Sequence, residues 1–134
     1  MPKIDPFAIQ SNYGKLKSVF ALQENFDSEN ILTGIKLEFE NGTIYHEAIA
    51  DDDSISSTQE VSWPDKNLKD VSNVIPWGKV IGKRPMWFWN LKQDETHCDA
   101  VQYMFGNSFE DETHTIQLMV TASEIQIYEV KRTL

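Results

Sequence analysis

The chain has 134 residues, 40% hydrophobic, 11% aromatic and 25% charged, which suits one packed domain over 1–134 and excludes a wholly disordered chain. Twelve Lys and Arg against 21 Asp and Glu give a net charge of −9 and a pI near 4.7, a poor basis for gripping a phosphate backbone. No apolar run approaches the roughly 20 residues that span a bilayer, no secretory h-region follows Met1, and a lone Cys98 leaves no internal disulfide, so a soluble, cytoplasmic domain is expected.

Residues 5–13 are a candidate short helix, with Pro6 tolerated in the first turn. Residues 15–21 hold Leu16, Val19 and Phe20 and predict a first strand. Over 31–40, Ile35, Leu37 and Phe39 alternate with Lys36, Glu38 and Glu40, the pattern of a half-buried strand. Asn41-Gly42 follows, and 43–50 is the return strand. Asn-Gly between two such runs predicts a type I′ turn, whose two central residues need positive φ. That loop pairs Phe39 with Ile44, Leu37 with His46 and Ile35 with Ala48, with Ile35, Leu37, Phe39 and Ile44 towards the core.

Residues 51–58 read as a polar connector and 59–62 as a short strand stopped by Pro64. A short helix is placed in 65–75. Residues 86–92 are apolar on both faces, with Met86 and Phe88 on one and Trp87, Trp89 and Leu91 on the other, which suggests a central strand covered on both sides. Strands at 99–105, 113–120 and 125–131 follow, joined by Gly106-Asn107 and Thr121-Ala122-Ser123. The expected fold is mainly β: an antiparallel meander of seven or eight strands, sandwich or half-barrel, with one or two short helices.

Charge is segregated along the chain. Residues 21–60 carry one Lys and ten acids, and residues 93–129 carry eight acids and no Lys or Arg, whereas 61–92 hold six basic residues and two acids. If the two acidic blocks converge, they form a negative face that steers a basic partner inward. Acidic surface also simply keeps a protein soluble.

Several residue groups could carry chemistry. Asp51-Asp52-Asp53 offers oxygen ligands for a hard cation but lacks the alternation, central Gly and Glu of a calcium loop. His46, His97 and His114 have no recognised zinc spacing, and no metal or cofactor is assigned. His46 faces the core by register, where a hydrogen-bonded core histidine is the expected fate. His97 and Cys98 are adjacent, so on a strand they point to opposite faces and cannot act as base and nucleophile together. No nucleophile elbow, phosphate-binding loop or zinc-protease helix is present. Asp99 falls beside the Trp87–Trp89 strand if 93–96 make a tight turn, where it could have a raised pKa or cap the turn backbone. Trp87 and Trp89 share one face by period-two geometry. They read first as large core groups, whose truncation to Ala would cost about 3–5 kcal/mol.

The run Gly82-Lys83-Arg84-Pro85-Met86-Trp87-Phe88-Trp89, with Asp99-Ala100-Val101-Gln102-Tyr103-Met104-Phe105 after it, resembles a family of short bacterial proteins of unassigned function. Phe39-Glu40-Asn41-Gly42-Thr43 and Ala50-Asp51-Asp52-Asp53 are similar to that family too, and the likeness covers roughly residues 13–130. Gln93-Asp94-Glu95-Thr96-His97 departs from the family's polar turn. In size, acidity and strand content the family resembles the immunity proteins that bacteria pair with secreted toxins, an analogy of type.

These readings converge on a non-enzymatic acidic binding protein of immunity type that occludes a basic toxin. Asp51, Asp52, Asp53, Glu110, Asp111 and Glu112 are the expected partner-binding carboxylates. The partner is a basic protein, not nucleic acid or membrane. The alternative is a small metal- or ligand-dependent enzyme using the Trp87–Trp89 face with Asp99 and a histidine.

Overall fold

A computed structural model describes residues 13–26, 29–49, 54–59, 63, 68–92, 98–107 and 113–130. Among these are nine strands in two antiparallel sheets and one 3-10 turn, Trp77–Lys79, with no closed barrel. The first sheet contains β1 (Leu16–Phe26), β2 (Glu29–Phe39), β3 (Gly42–Ile49), β4 (Ser54–Thr58) and β5 (Leu68–Asp70), in the order β4-β3-β2-β1-β5. The second contains β6 (Arg84–Lys92), β7 (Cys98–Gly106), β8 (His114–Thr121) and β9 (Glu124–Val130), in the order β6-β7-β8-β9. No helix of the described residues is long and apolar enough to cross a membrane.

The core forms where the two inner faces meet. Ile35, Leu37 and Phe39 of β2 and Ile116, Leu118 and Val120 of β8 are all buried, as period-two alternation demands of strands with one face inward. Tyr103 and Phe105 of β7 stack at 5.4 Å between them. On the opposite side of β2, Lys36 lies 3.7 Å from Glu38 and over the rings of Phe20 and Tyr45. The sheets are tied at one end. The Leu16 N–H donates to the Lys83 carbonyl (2.9 Å), and the Gly82 N–H to the Leu16 carbonyl (2.8 Å).

The β2–β3 hairpin exists, but its register differs from the expectation by two residues. Phe39 pairs with Gly42, Leu37 with Ile44 and Ile35 with His46, and the turn is Glu40-Asn41. A two-residue shift preserves which face each side chain takes, so Ile35, Leu37, Phe39 and Ile44 still point inward and are buried. The cause lies in the segment before β1. The Glu40 and Asn41 N–H groups donate to the carbonyls of Lys15 and Tyr13, both at 3.0 Å, and the Lys15 N–H donates to Glu40 Oε1 at 2.7 Å. Neither Asn41 nor Gly42 has positive φ. Gly42 is needed instead for close approach, since a Cβ there would lie 2.8 Å from the Tyr13 ring. The two-residue turn with positive φ at both centres is Ala122-Ser123 (52° and 67°), between β8 and β9.

Three further elements depart from the sequence expectation. Residues 54–58, assigned to a connector, form β4, which pairs with β3 and lies over β7 and β8. Buried Ser54, Ile55 and Thr58 show that a polar strand can close a core edge when its partners are apolar. The helix expected within 65–75 does not form over its described part. Leu68–Asp70 pairs with β1, the Val71 N–H donates to the Val19 carbonyl, and Pro76 and Gly78 interrupt the chain between β5 and β6. Trp77 and Val80 from this stretch are buried, so it plugs the core without a helix. Finally, β6 is an edge strand rather than a central one. The candidate helix at 5–13 lies, except for Tyr13, outside the described residues, as do 60–62 of the expected short strand.

Candidate functional site

The outer face of the second sheet is the most distinctive surface among the described residues. Its central row crosses all four strands: Trp89 is opposite Gln102, Gln102 opposite Gln117, and Gln117 opposite Tyr128. The rows on either side run Trp87, Met104, Thr115, Val130 and Leu91, Ala100, Met119, Gln126. None of these twelve side chains is charged, in a chain whose residues are 25% charged. Among the described side chains, charge returns at the corners of the face, with Arg84 and Glu124.

A bulge between Pro85 and Trp87 sets the phase of β6, turning Phe88 inward and Trp87 and Trp89 outward. The two indoles stack on each other, centroids 6.0 Å apart and planes 15° off parallel. Trp87 is 41% exposed, Leu91 41% and Tyr128 47%, and Trp89 is half-buried, so neither tryptophan is the expected buried core group. Between these apolar edges, Gln102 Nε2 donates to Gln117 Oε1 at 2.6 Å, and Ala100, Met104 and Thr115 form a buried floor. Such a surface offers aromatic contact area and amide hydrogen bonding without a desolvated charge.

The inward face of the molecule holds a second polar cluster. His46 is fully buried on β3, with Nδ1 2.7 Å from Ser57 Oγ and Nε2 2.5 Å from the Tyr103 hydroxyl. Satisfying every buried donor selects one tautomer: the Tyr103 O–H donates to Nε2, and Nδ1–H donates to Ser57 Oγ. Burial lowers the His46 pKa to about 3 and pushes that of Tyr103 well above its ordinary value. Phe88 and Tyr103 pack around the imidazole with centroids 6.2 and 5.5 Å away. This matches the expected hydrogen-bonded core histidine, held neutral.

At the edge of the interior, Lys79 Nζ lies 3.0 Å from Glu129 Oε2, and His114 Nδ1 lies 3.3 Å from Glu129 Oε1. The hydrogen bonds from Lys79 and then His114 hold the Glu129 carboxyl below the usual carboxylate range. The bridge ties the 3-10 turn to β9.

Asp51, Asp52, Asp53, Glu110, Asp111, Glu112 and His97 lie outside the described residues, and Cys98 and Asp99 enter only as backbone at the start of β7. The residues flanking the two acidic triplets are placed. Gly106 pairs with Arg84, next to Lys83, which is bonded to Leu16; Leu16 pairs with Phe39, and Phe39 with Gly42. Gly106 therefore shares an end of the molecule with Gly42, while Ile49 and Ser54 lie roughly 23 Å further along β3 at about 3.3 Å per residue. His46 faces inward, His114 sits beside Glu129, and Trp87 and Trp89 face outward, so neither described histidine joins the tryptophan face. Among the described residues no three His, Cys, Asp or Glu come together as a metal site.

Sequence reasoning missed Gln102, Gln117 and Tyr128. Period-two alternation within each strand places them on the face opposite buried Tyr103 and Leu118 and partly buried Ile127, but only the pairing of β6 to β9 puts them in one row with Trp89. A model of a family of unknown function, DUF6334, matches residues 2–133 of the chain. No curated protein and no solved structure matches it.

Proposed function

The chain belongs to DUF6334, a family whose description carries no activity, and from its own surface we propose that it is a non-catalytic binding protein that acts in the cytoplasm by occluding a basic protein partner, in the manner of immunity proteins against toxins. The observation that carries this reading is the stack of exposed Trp87 on half-buried Trp89, on a sheet face whose three central rows are uncharged. Paired indoles beside Leu91 supply the large, rigid apolar anchor that dominates protein interfaces, and the amides of Gln102 and Gln117 supply hydrogen bonds around it. The net charge of −9 raises the rate at which a basic partner meets the protein, with Asp51, Asp52, Asp53, Glu110, Asp111 and Glu112 assigned to steering, and the uncharged face then anchors it.

The test is co-expression with the product of an adjacent reading frame that encodes a secreted toxin, and then calorimetric titration of the purified pair. One-to-one binding that inhibits the toxin, slows in association as salt rises and weakens at least tenfold in Trp87→Ala or Trp89→Ala supports the reading. Binding indifferent to salt, to the tryptophans and to neutralisation of both acidic triplets overturns it.

A further inference from the structure

We propose that the same outer face is a self-association surface, on which a second copy of this chain seats with its β9 over β6 and its β6 over β9. This shares the face with the partner reading but stands whether or not that partner exists.

Two copies that each carry −9 repel wherever their acidic surfaces meet. The outer side of the first sheet presents Lys36, Glu38 and Glu47, whereas the central rows of the second sheet present no charge. Only the latter lets two sheets approach without burying unpaired charge.

The central row is also complementary to itself. A two-fold axis parallel to the strands, midway between β7 and β8, lays Trp89-Gln102-Gln117-Tyr128 over Tyr128-Gln117-Gln102-Trp89 of the second copy. Trp89 of each copy then meets Tyr128 of the other, an aromatic pair that gains beyond its buried area. Each glutamine meets a glutamine, and an amide is donor and acceptor at once. The internal Gln102–Gln117 bond uses one amide hydrogen and one carbonyl lone pair, so both side chains keep capacity for a bond across the axis.

Area sets the strength. Four strands about 4.8 Å apart and about seven residues long give a footprint of roughly 450 Å² per copy, about 900 Å² in all, in the range of weak, transient association below about 1,200 Å². The dimer is therefore a dissociable one that forms with rising concentration and yields the tryptophan face to a stronger competitor.

Sedimentation velocity on the full chain tests this. From about 1 µM to about 500 µM the wild type should pass from monomer to dimer, as expected for a small interface. The association should tighten between about 0.05 M and about 0.5 M NaCl, because salt screens repulsion between two acidic copies. Binding of a basic partner should weaken over the same range, so failure of either reading is seen separately. Tyr128→Glu and Trp89→Lys should each be monomeric throughout, with circular dichroism confirming that they fold. An equimolar mixture of the two should dimerise again, since Lys at 89 would lie over Glu at 128 of the other chain. A wild type that stays monomeric at every concentration overturns the proposal, and that series needs no variant. So does self-association that weakens with salt, or a mixture of folded variants that remains monomeric.

Discussion

Acid should destabilise this protein through one residue before its carboxylates titrate. His46 is fully buried, bonded to Tyr103 and Ser57, and burial lowers its pKa from 6.5 to about 3. In the folded chain it stays neutral down to about pH 3, whereas in the unfolded chain it takes up a proton below about pH 6.5. The unfolded state then binds more protons, so stability falls as pH falls. The contribution is present in full above pH 6.5 and is lost progressively between 6.5 and 3. At pH 5 the unfolded chain gains about 1.5 units of protonation free energy, or about 2 kcal/mol at 1.36 kcal/mol per unit. Ordinary Asp and Glu titrate near pH 4, so the window from 7 to 5 isolates the imidazole. Urea unfolding at pH 7, 6 and 5 should show the wild type losing about 2 kcal/mol more than His46→Gln, which has no titrating group there. A folded-state imidazole that titrates near 6.5 by NMR would refute the reasoning, as would parallel stability profiles for the two proteins.

Gly42→Val should destabilise the fold by about 1–3 kcal/mol in denaturant, because its side chain would enter the Tyr13 ring; relief by Tyr13→Ala in the double variant would confirm that contact. Trp87→Ala should cost less than about 1.5 kcal/mol, well below the 3–5 kcal/mol of a buried aromatic, since its indole is 41% exposed; a melting temperature lowered as far as by Trp77→Ala would contradict this. Lys79→Met should change stability by less than about 1 kcal/mol, since the Glu129 bridge is partly solvated, and a larger loss in denaturant melts would show that the bridge holds the 3-10 turn in place.

Alternation within single segments was legible from the chain alone. Ile35-Lys36-Leu37-Glu38-Phe39 predicted both a strand and its buried face, and the structure keeps that face even though the hairpin register moved by two residues. His46 was placed inward by the same parity, which a two-residue shift cannot alter. The register itself was decided elsewhere, because Tyr13 and Lys15 hold the Glu40-Asn41 turn through hydrogen bonds that no local pattern contains. The strand at Ser54–Thr58 was hidden because Ser and Thr carry weak patterning, and its burial comes from β3, β7 and β8. Apolar residues on both faces of β6 signalled that both faces matter, but periodicity cannot tell a strand covered by a second layer from an edge strand with an open side. Local alternation is a property of neighbours in sequence, so the chain alone determined the strands that carry it, such as β2 with its inward Ile35, Leu37 and Phe39, but not β4 or β5. The row from Trp89 to Tyr128 is a property of strands paired across a sheet, spanning 40 residues of chain, so only the tertiary structure could assemble it.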